Sequence, residues 1–148
     1  MPDKSDHTTL ASENLKTLRY ICQRIDDFPQ WATTIATYAA LQAIEALFAH
    51  RGIHSDQHGD RNRRLKSDSQ FSHIWKHYRP LYNDSLLARY MEDAHSSRTI
   101  GPLFSQYMSG EKVMQKHVKH HLHQIIRSVR NITGDDDFLI DVEPMTFE

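Results

Sequence analysis

Apolar side chains return every three or four positions along most of this chain, the period of a helix with one buried face. The pattern begins at Leu10 and runs through Leu15, Leu18, Ile21, Cys22 and Ile25, which predicts a first helix reaching about Asp27 behind a flexible polar tail at residues 1–9. The run Asp27-Phe28-Pro29 breaks it, because a proline disfavours the helical state in the residue before it. From Trp31 the segment WATTIATYAALQAIEALFAHRG predicts a central core helix. Trp31, Ile35, Tyr38, Leu41, Ile44, Leu47 and Phe48 form its apolar stripe, and Ala36, Ala39, Ala40, Ala43 and Ala46 admit a close neighbour. Gly52 stops it by taking the left-handed turn that ends many helices.

After a polar loop from Ile53 to Asp60, Asp60 is positioned to cap a helix beginning at Arg61. Phe71, Ile74, Trp75 and Tyr78 continue an apolar face, Pro80 predicts a kink or a restart, and Leu81, Tyr82, Leu86, Leu87, Tyr90 and Met91 carry the pattern on. Gly101-Pro102 is a further break. Gly110 opens the last long helix, with Val113, Met114, Val118, Leu122, Ile125, Ile126 and Val129 on its buried side. The expected division is a tail at 1–9, a helical domain at 10–133 and an acidic tail or docking segment at 134–148, where Phe138 to Ile140 is the one apolar run. The expected core is Leu18, Ile21, Ile35, Tyr38, Leu41, Leu47, Phe48, Ile74, Trp75, Leu86, Val118, Leu122 and Ile125.

Composition narrows the class to all-α. The 148 residues are 39% hydrophobic and 25% charged, an ordinary globular mixture, and five Gly and five Pro leave long helices few interruptions. Cys22 is the only cysteine, which excludes an intrachain disulfide framework and a thiolate zinc cluster and suits a reducing, cytoplasmic setting. No apolar run is read as a membrane span or signal segment, so no membrane association is expected. Eighteen Lys and Arg against 19 Asp and Glu, with His neutral, give a net charge of −1, so attraction to nucleic acid must come from a local patch.

Three constellations carry candidate chemistry. In DRNRRLK, Arg61, Arg63 and Arg64, followed by Lys66, put positive charge in the first turns of a helix, against its dipole. A phosphate would relieve that conflict and take paired hydrogen bonds from guanidinium groups; the alternative is a solvated face balanced by Asp56, Asp60 and Asp68. Eleven histidines are the second feature. His50, His54 and His58 are four apart, but Gly52 ends the helix that would align them. His117 with His121 and His120 with His123 share faces beside Lys112, Lys116 and Lys119, which reads as a wet polar surface. No metal and no cofactor is expected. The third is Arg89 with His95: a histidine can move a proton at a ribose hydroxyl while an arginine steadies charge developing on phosphate.

The run WATTIATYAALQAIEALFAHRGIHSDQHGDRNRRL resembles the core of HEPN domains, whose second helix carries a Tyr- and Ala-rich pattern matched here by Ala36, Tyr38, Ala39, Ala40, Ala43, Ala46 and Leu47. Gly52, His58 and DRNRRL resemble the glycine, the His-containing loop and the new helix that follow in the family, and YRPLYNDSLLARY is similar to its third-helix region. The resemblance spans about residues 14 to 130. It implies an antiparallel four- to five-helix bundle that pairs as a homodimer and binds RNA or nucleotide. For a catalytic member it implies a metal-independent endoribonuclease of a toxin–antitoxin system with a nucleotidyltransferase-like partner protein, in which Arg89 and His95 are the candidate catalytic pair, beside the phosphate-binding role already read for Arg61, Arg63 and Arg64. The chain departs from the family motif in having Tyr90 after Arg89 where an Asn or Asp is usual, and in lacking a His after Arg130-Asn131. The other reading of the same residues is a non-catalytic helical dimerisation or protein-interaction module.

Overall fold

The computed structural model describes residues 2–55, 57–93 and 98–134, and over these the chain is all-α. The described residues form six helices: α1 (Lys4–Cys22), α2 (Pro29–His50), α3 (His58–Ser67), α4 (Ser72–Tyr90), the short α5 (Phe104–Tyr107), and α6. The last is one rod, residues 110–133, assembled from Gly110–Val113, a π-helical stretch Met114–Leu122 and His123–Thr133. The strand pairing among the described residues is two residues long, Glu92–Asp93 against Arg98–Thr99.

The chain is helical from Lys4, which corrects the expected tail. Its first turn has little apolar content, so periodicity does not reveal it. Reciprocal caps hold it instead: Asp6 N–H donates to Asp3 Oδ1 at 2.9 Å and Asp3 N–H to Asp6 Oδ2 at 3.0 Å. His7 Nδ1 then meets Gln42 Oε1 at 2.7 Å, tying that end to α2.

α2 lies at the centre, packed against α1, α4 and α6. Proline opens it, where an amide would go unused in any case. Gly52, at φ +70°, closes it with Ile53 N–H donating to Phe48 O at 2.8 Å and Gly52 N–H to Ala49 O at 3.1 Å, the paired bonds of a left-handed helix terminus. The alanines are the buried face: Ala32, Ala36, Ala39, Ala40, Ala43 and Ala46 are fully enclosed. Small side chains let α1 and α4 come close, and only Trp31 and Tyr38 of the larger stripe turn outward. Tyr38 is 39% exposed and Trp31 54% exposed, so Tyr38 is not a core residue, and Ile21, Ile35, Trp75 and Leu86 are only partly buried. Leu18, Leu41, Leu47, Phe48, Ile74, Val118, Leu122 and Ile125 are buried as expected. By length and composition α2 is also apolar enough to cross a bilayer, contrary to the sequence expectation, and 78% of that window is buried inside the protein.

α3 starts at His58 rather than Arg61, with Gln57 at its N-cap and Asp60 inside its first turn, so Asp60 is not the cap. α4 continues through Pro80 without ending and terminates at Met91, whose φ is +63°. Ser109 caps α6 by accepting from Lys112 N–H at 3.2 Å. At the next residue, a Cβ on Gly110 would stand 2.6 Å from Ile25 O, so α6 can begin against the turn after α1 only with glycine there.

Candidate phosphate-binding groove

α3 turns an unusual face inward: Arg61, Asn62 and Leu65 are buried. Arg61 Nε donates to Glu45 Oε1 at 2.6 Å, and both side chains are 8% exposed. A buried pair is stable only when its remaining groups are also satisfied. Ser55 Oγ donates to the same carboxylate oxygen at 2.5 Å, and Arg61 Nη1 donates to His58 Nδ1 at 3.0 Å. Because a guanidinium only donates, His58 accepts at Nδ1 and is neutral. Burial holds its pKa below the ordinary histidine value, with the charges of Arg61 and Arg89 adding to that effect and Glu45 opposing it. Arg61 is therefore turned into the protein, away from the surface where a phosphate was expected to meet it.

Arg63 and Arg64 do face out. Both reach back to Asp60, Arg63 Nη2 at 2.5 Å and Arg64 Nε at 3.2 Å, and these hydrogen bonds hold the Asp60 carboxyl below its usual range. Arg63 lines a groove between α3 and α4; Arg64 does not. Asn62, Arg63 and Lys66 from α3 face Trp75, Arg79 and Asn83 from α4 across a cavity of about 340 Å³. Trp75, Arg79 and Asn83 are four apart and therefore stack along one side of α4. Lys76 and Pro80 extend the same wall into a second hollow. Among the described residues, no carboxylate pairs with Lys66, Lys76 or Arg79. The Asn62 side-chain oxygen is buried at the groove with no hydrogen-bond partner. A half-buried indole and cations with no described carboxylate partner are the groups that hold a base by its flat face and a phosphate by its charge.

Arg89 stands ten residues beyond Arg79, roughly 15 Å along α4. Its guanidinium lies over the rings of Tyr38 and Tyr90, at 5.5 and 5.1 Å, and donates to Tyr38 Oη at 3.2 Å, Ser85 O at 3.3 Å and Ser85 Oγ at 3.4 Å. These acceptors are neutral, so its charge is not cancelled by them. His95 lies outside the described residues, as do Asp56 and the segment 135–148, so the Arg89–His95 pair has no geometry to describe. Sequence reading found Arg63 and missed Arg79, Asn62 and Asn83. The signal was the spacing Trp75, Arg79, Asn83, which was legible only once Pro80 was known to sit inside a continuous helix.

The histidine and carboxylate groups that converge to metal-binding distance among the described residues are His77, His120 and His121, on the opposite side of α4 from the groove. His58, which shares a four-residue spacing with His50 and His54, accepts from Arg61. No family model, curated protein or solved structure matches the chain.

Proposed function

We propose that the chain is a HEPN-like antiparallel bundle that binds single-stranded RNA or nucleotide phosphate in the groove between α3 and α4. The observation that carries this reading is the convergence of Arg63, Lys66 and Arg79 on Trp75, with the Asn62 oxygen buried and unpaired beside them. The roles divide by chemistry. Arg79 and Lys66 attract the phosphate, Trp75 stacks on a base, and Asn83 offers its amide to a base or ribose edge. Arg61 holds α3 in place from beneath. Should the protein cleave RNA, Arg89 is the group that steadies the phosphate, working with His95 without a metal. Its pairing with neutral oxygens and aromatic faces leaves the guanidinium charge available.

The test is a fluorescence-anisotropy titration of labelled single-stranded RNA, repeated with a mononucleotide as competitor. Binding that weakens with salt and is lost in an Arg79→Ala/Lys66→Ala double variant supports the groove. Binding unchanged in that variant rejects it. Cleavage in excess chelator, abolished by both Arg89→Ala and His95→Ala while binding persists, supports the ribonuclease reading.

A second reading, a dimerisation or protein-interaction module, is favoured by Phe28, Trp31 and Tyr38, which expose apolar surface along one side of α2, with Tyr90 beside Tyr38 through Arg89. The expected homodimer, and any nucleotidyltransferase-like partner, would use such a stripe. Sedimentation at tens of micromolar, with Trp31→Glu beside the parent, tests it: a dimer that Trp31→Glu dissociates supports this surface, and a monomeric parent rejects it.

A further inference from the structure

α4 carries His73 and His77 on consecutive turns, and α6 brings His117, His120 and His121 against them. We propose that His77, His120 and His121 form a binding site for one divalent transition-metal ion of the zinc class. One nitrogen from each of the three rings lies within 4.8 Å of the others, and His77 Nδ1 is 3.0 Å from His121 Nδ1. Three nitrogens bound at zinc's usual distance of about 2.0–2.1 Å in a tetrahedron stand roughly 3.3 Å apart, so the widest pair has to close by no more than roughly 1.5 Å. An all-imidazole set suits zinc, copper or nickel and not magnesium or calcium, which take oxygen.

The backbone supports the same assignment. His120 and His121 are neighbours in sequence, and on an ordinary α-helix two neighbours diverge too far to serve one site easily. They fall within the π-helical stretch Met114–Leu122, whose wider turn narrows the angle between adjacent side chains and presents both rings to His77. π-helical turns are rare and are frequently found at functional sites.

The charges around the rings act in both directions. Burial first, then the neighbouring His73, His120 and Lys76, bring His77 down to about 4; burial, His117, His120, His77 and Lys116 bring His121 down to about 3. Both shifts favour the neutral ring, the form that keeps a lone pair for a ligand bond. Lys76 and Lys116 work against a cation, and Asp84 offsets the second. Its Oδ2 accepts from His117 Nε2 at 2.6 Å and lies 3.7 Å from Lys116 Nζ. Burial pushes the Asp84 carboxyl up, but the hydrogen bonds from His117 and Tyr107 outweigh it and keep the group anionic. The fully buried His117 has its Nδ1 unpartnered, and its ring centre is 5.6 Å from that of His121, so an unsatisfied nitrogen also borders the cluster. His120 is exposed, which leaves the outer side of the site open to solvent. Three protein nitrogens with an open fourth position match zinc sites that bind water, not those that only brace a fold.

The experiment uses the full chain freed of metal by chelator dialysis, titrated with Zn²⁺ by calorimetry and with Co²⁺ by visible absorption. The expected result is one equivalent bound, a four-coordinate cobalt spectrum, and a rise in melting temperature with Zn²⁺. His120→Ala and His121→Ala should each weaken binding by about 10-fold or more, as loss of one ligand in three demands, while a His50→Ala/His54→Ala variant binds like the parent. His120 is exposed, so His120→Ala retains the fold, checked by circular dichroism, and decides the matter even if His121→Ala is unstable. Absence of binding at about 100-fold molar excess of Zn²⁺ overturns the proposal, and so does one-equivalent binding that His120→Ala leaves unchanged. RNA affinity is measured on the same variants, so failure here stays separate from failure of the groove.

Discussion

The two long sides of α4 solve opposite electrostatic problems with cationic and basic residues. Toward α3, Trp75 and Arg79 stand at a surface where Arg63, Lys66 and Lys76 add charge that no described carboxylate cancels, apart from the Asp60 contact of Arg63. Toward α6, the buried His77 meets the half-buried His121 and the exposed His120, and burial lowers the pKa of His77 and His121. A guanidinium stays charged wherever it is placed, so it can recruit an anion from water; an imidazole surrenders its charge when buried and becomes a ligand for a cation. On the two proposals, one helix carries an anion site and a cation site back to back, divided by the core residues Ile74, Tyr78 and Leu81.

The largest effect should come from the residue that only resembles a member of the groove. Arg61→Ala leaves Glu45 charged, buried and without its partner, which costs about 3–5 kcal/mol in a urea or guanidinium denaturation series. If stability falls by less than about 1 kcal/mol while RNA affinity collapses, Arg61 belongs to the ligand and not to the support.

Next in size is the indole. Trp75→Ala should weaken binding of single-stranded RNA by about 1–3 kcal/mol if a base stacks there, with Zn²⁺ binding untouched. The converse variant, His120→Ala, should leave RNA affinity intact. Coupling in both directions would mean that the two sides of α4 act as one site.

How much of this could be read beforehand depends on what each residue's signal was made of. The all-α class, Gly52 as the end of α2 and eight of the thirteen expected core residues followed from periodicity and glycine placement. Periodicity could not say which side of α2 was inner, because that helix is apolar all round: close packing selected Ala36, Ala40 and Ala43, and Tyr38 went outward. The chain's first turn was hidden because a pair of aspartates, not apolar side chains, holds it. The histidines were invisible as a cluster for a different reason. His77 and His121 are 44 positions apart, and the π-helical turn that aligns His120 with His121 leaves no pattern in the spacing. Arg61, Arg63 and Arg64 were grouped as one patch because they are adjacent in sequence, whereas a helix places neighbours on different sides and sends Arg61 inward.

Arg79→Ala comes third. Phosphate contact displaces counterions from the nucleic acid, so losing one such contact should lower affinity for all sequences alike and reduce the slope of log K against log salt by about 0.7 for single strands. An unchanged slope with lower affinity would assign Arg79 to a base edge instead.

Arg63→Ala should be the mildest of the groove variants, although Arg63 was among the first residues to suggest a phosphate site. Its side chain is 74% exposed and already engaged with Asp60, so a phosphate must draw it from an existing partner in open solvent, where each exchange gains little. The expected loss of RNA affinity is less than about threefold, with no change in the melting midpoint. Asp60→Asn makes the complementary measurement: it removes the competing carboxylate, frees Arg63 and Arg64 together, and should tighten RNA binding at low salt while the effect fades as salt is raised. If Asp60→Asn leaves affinity unchanged at low salt, the outer side of α3 is a solvated surface, and the anion site consists of Lys66, Arg79 and Trp75 alone.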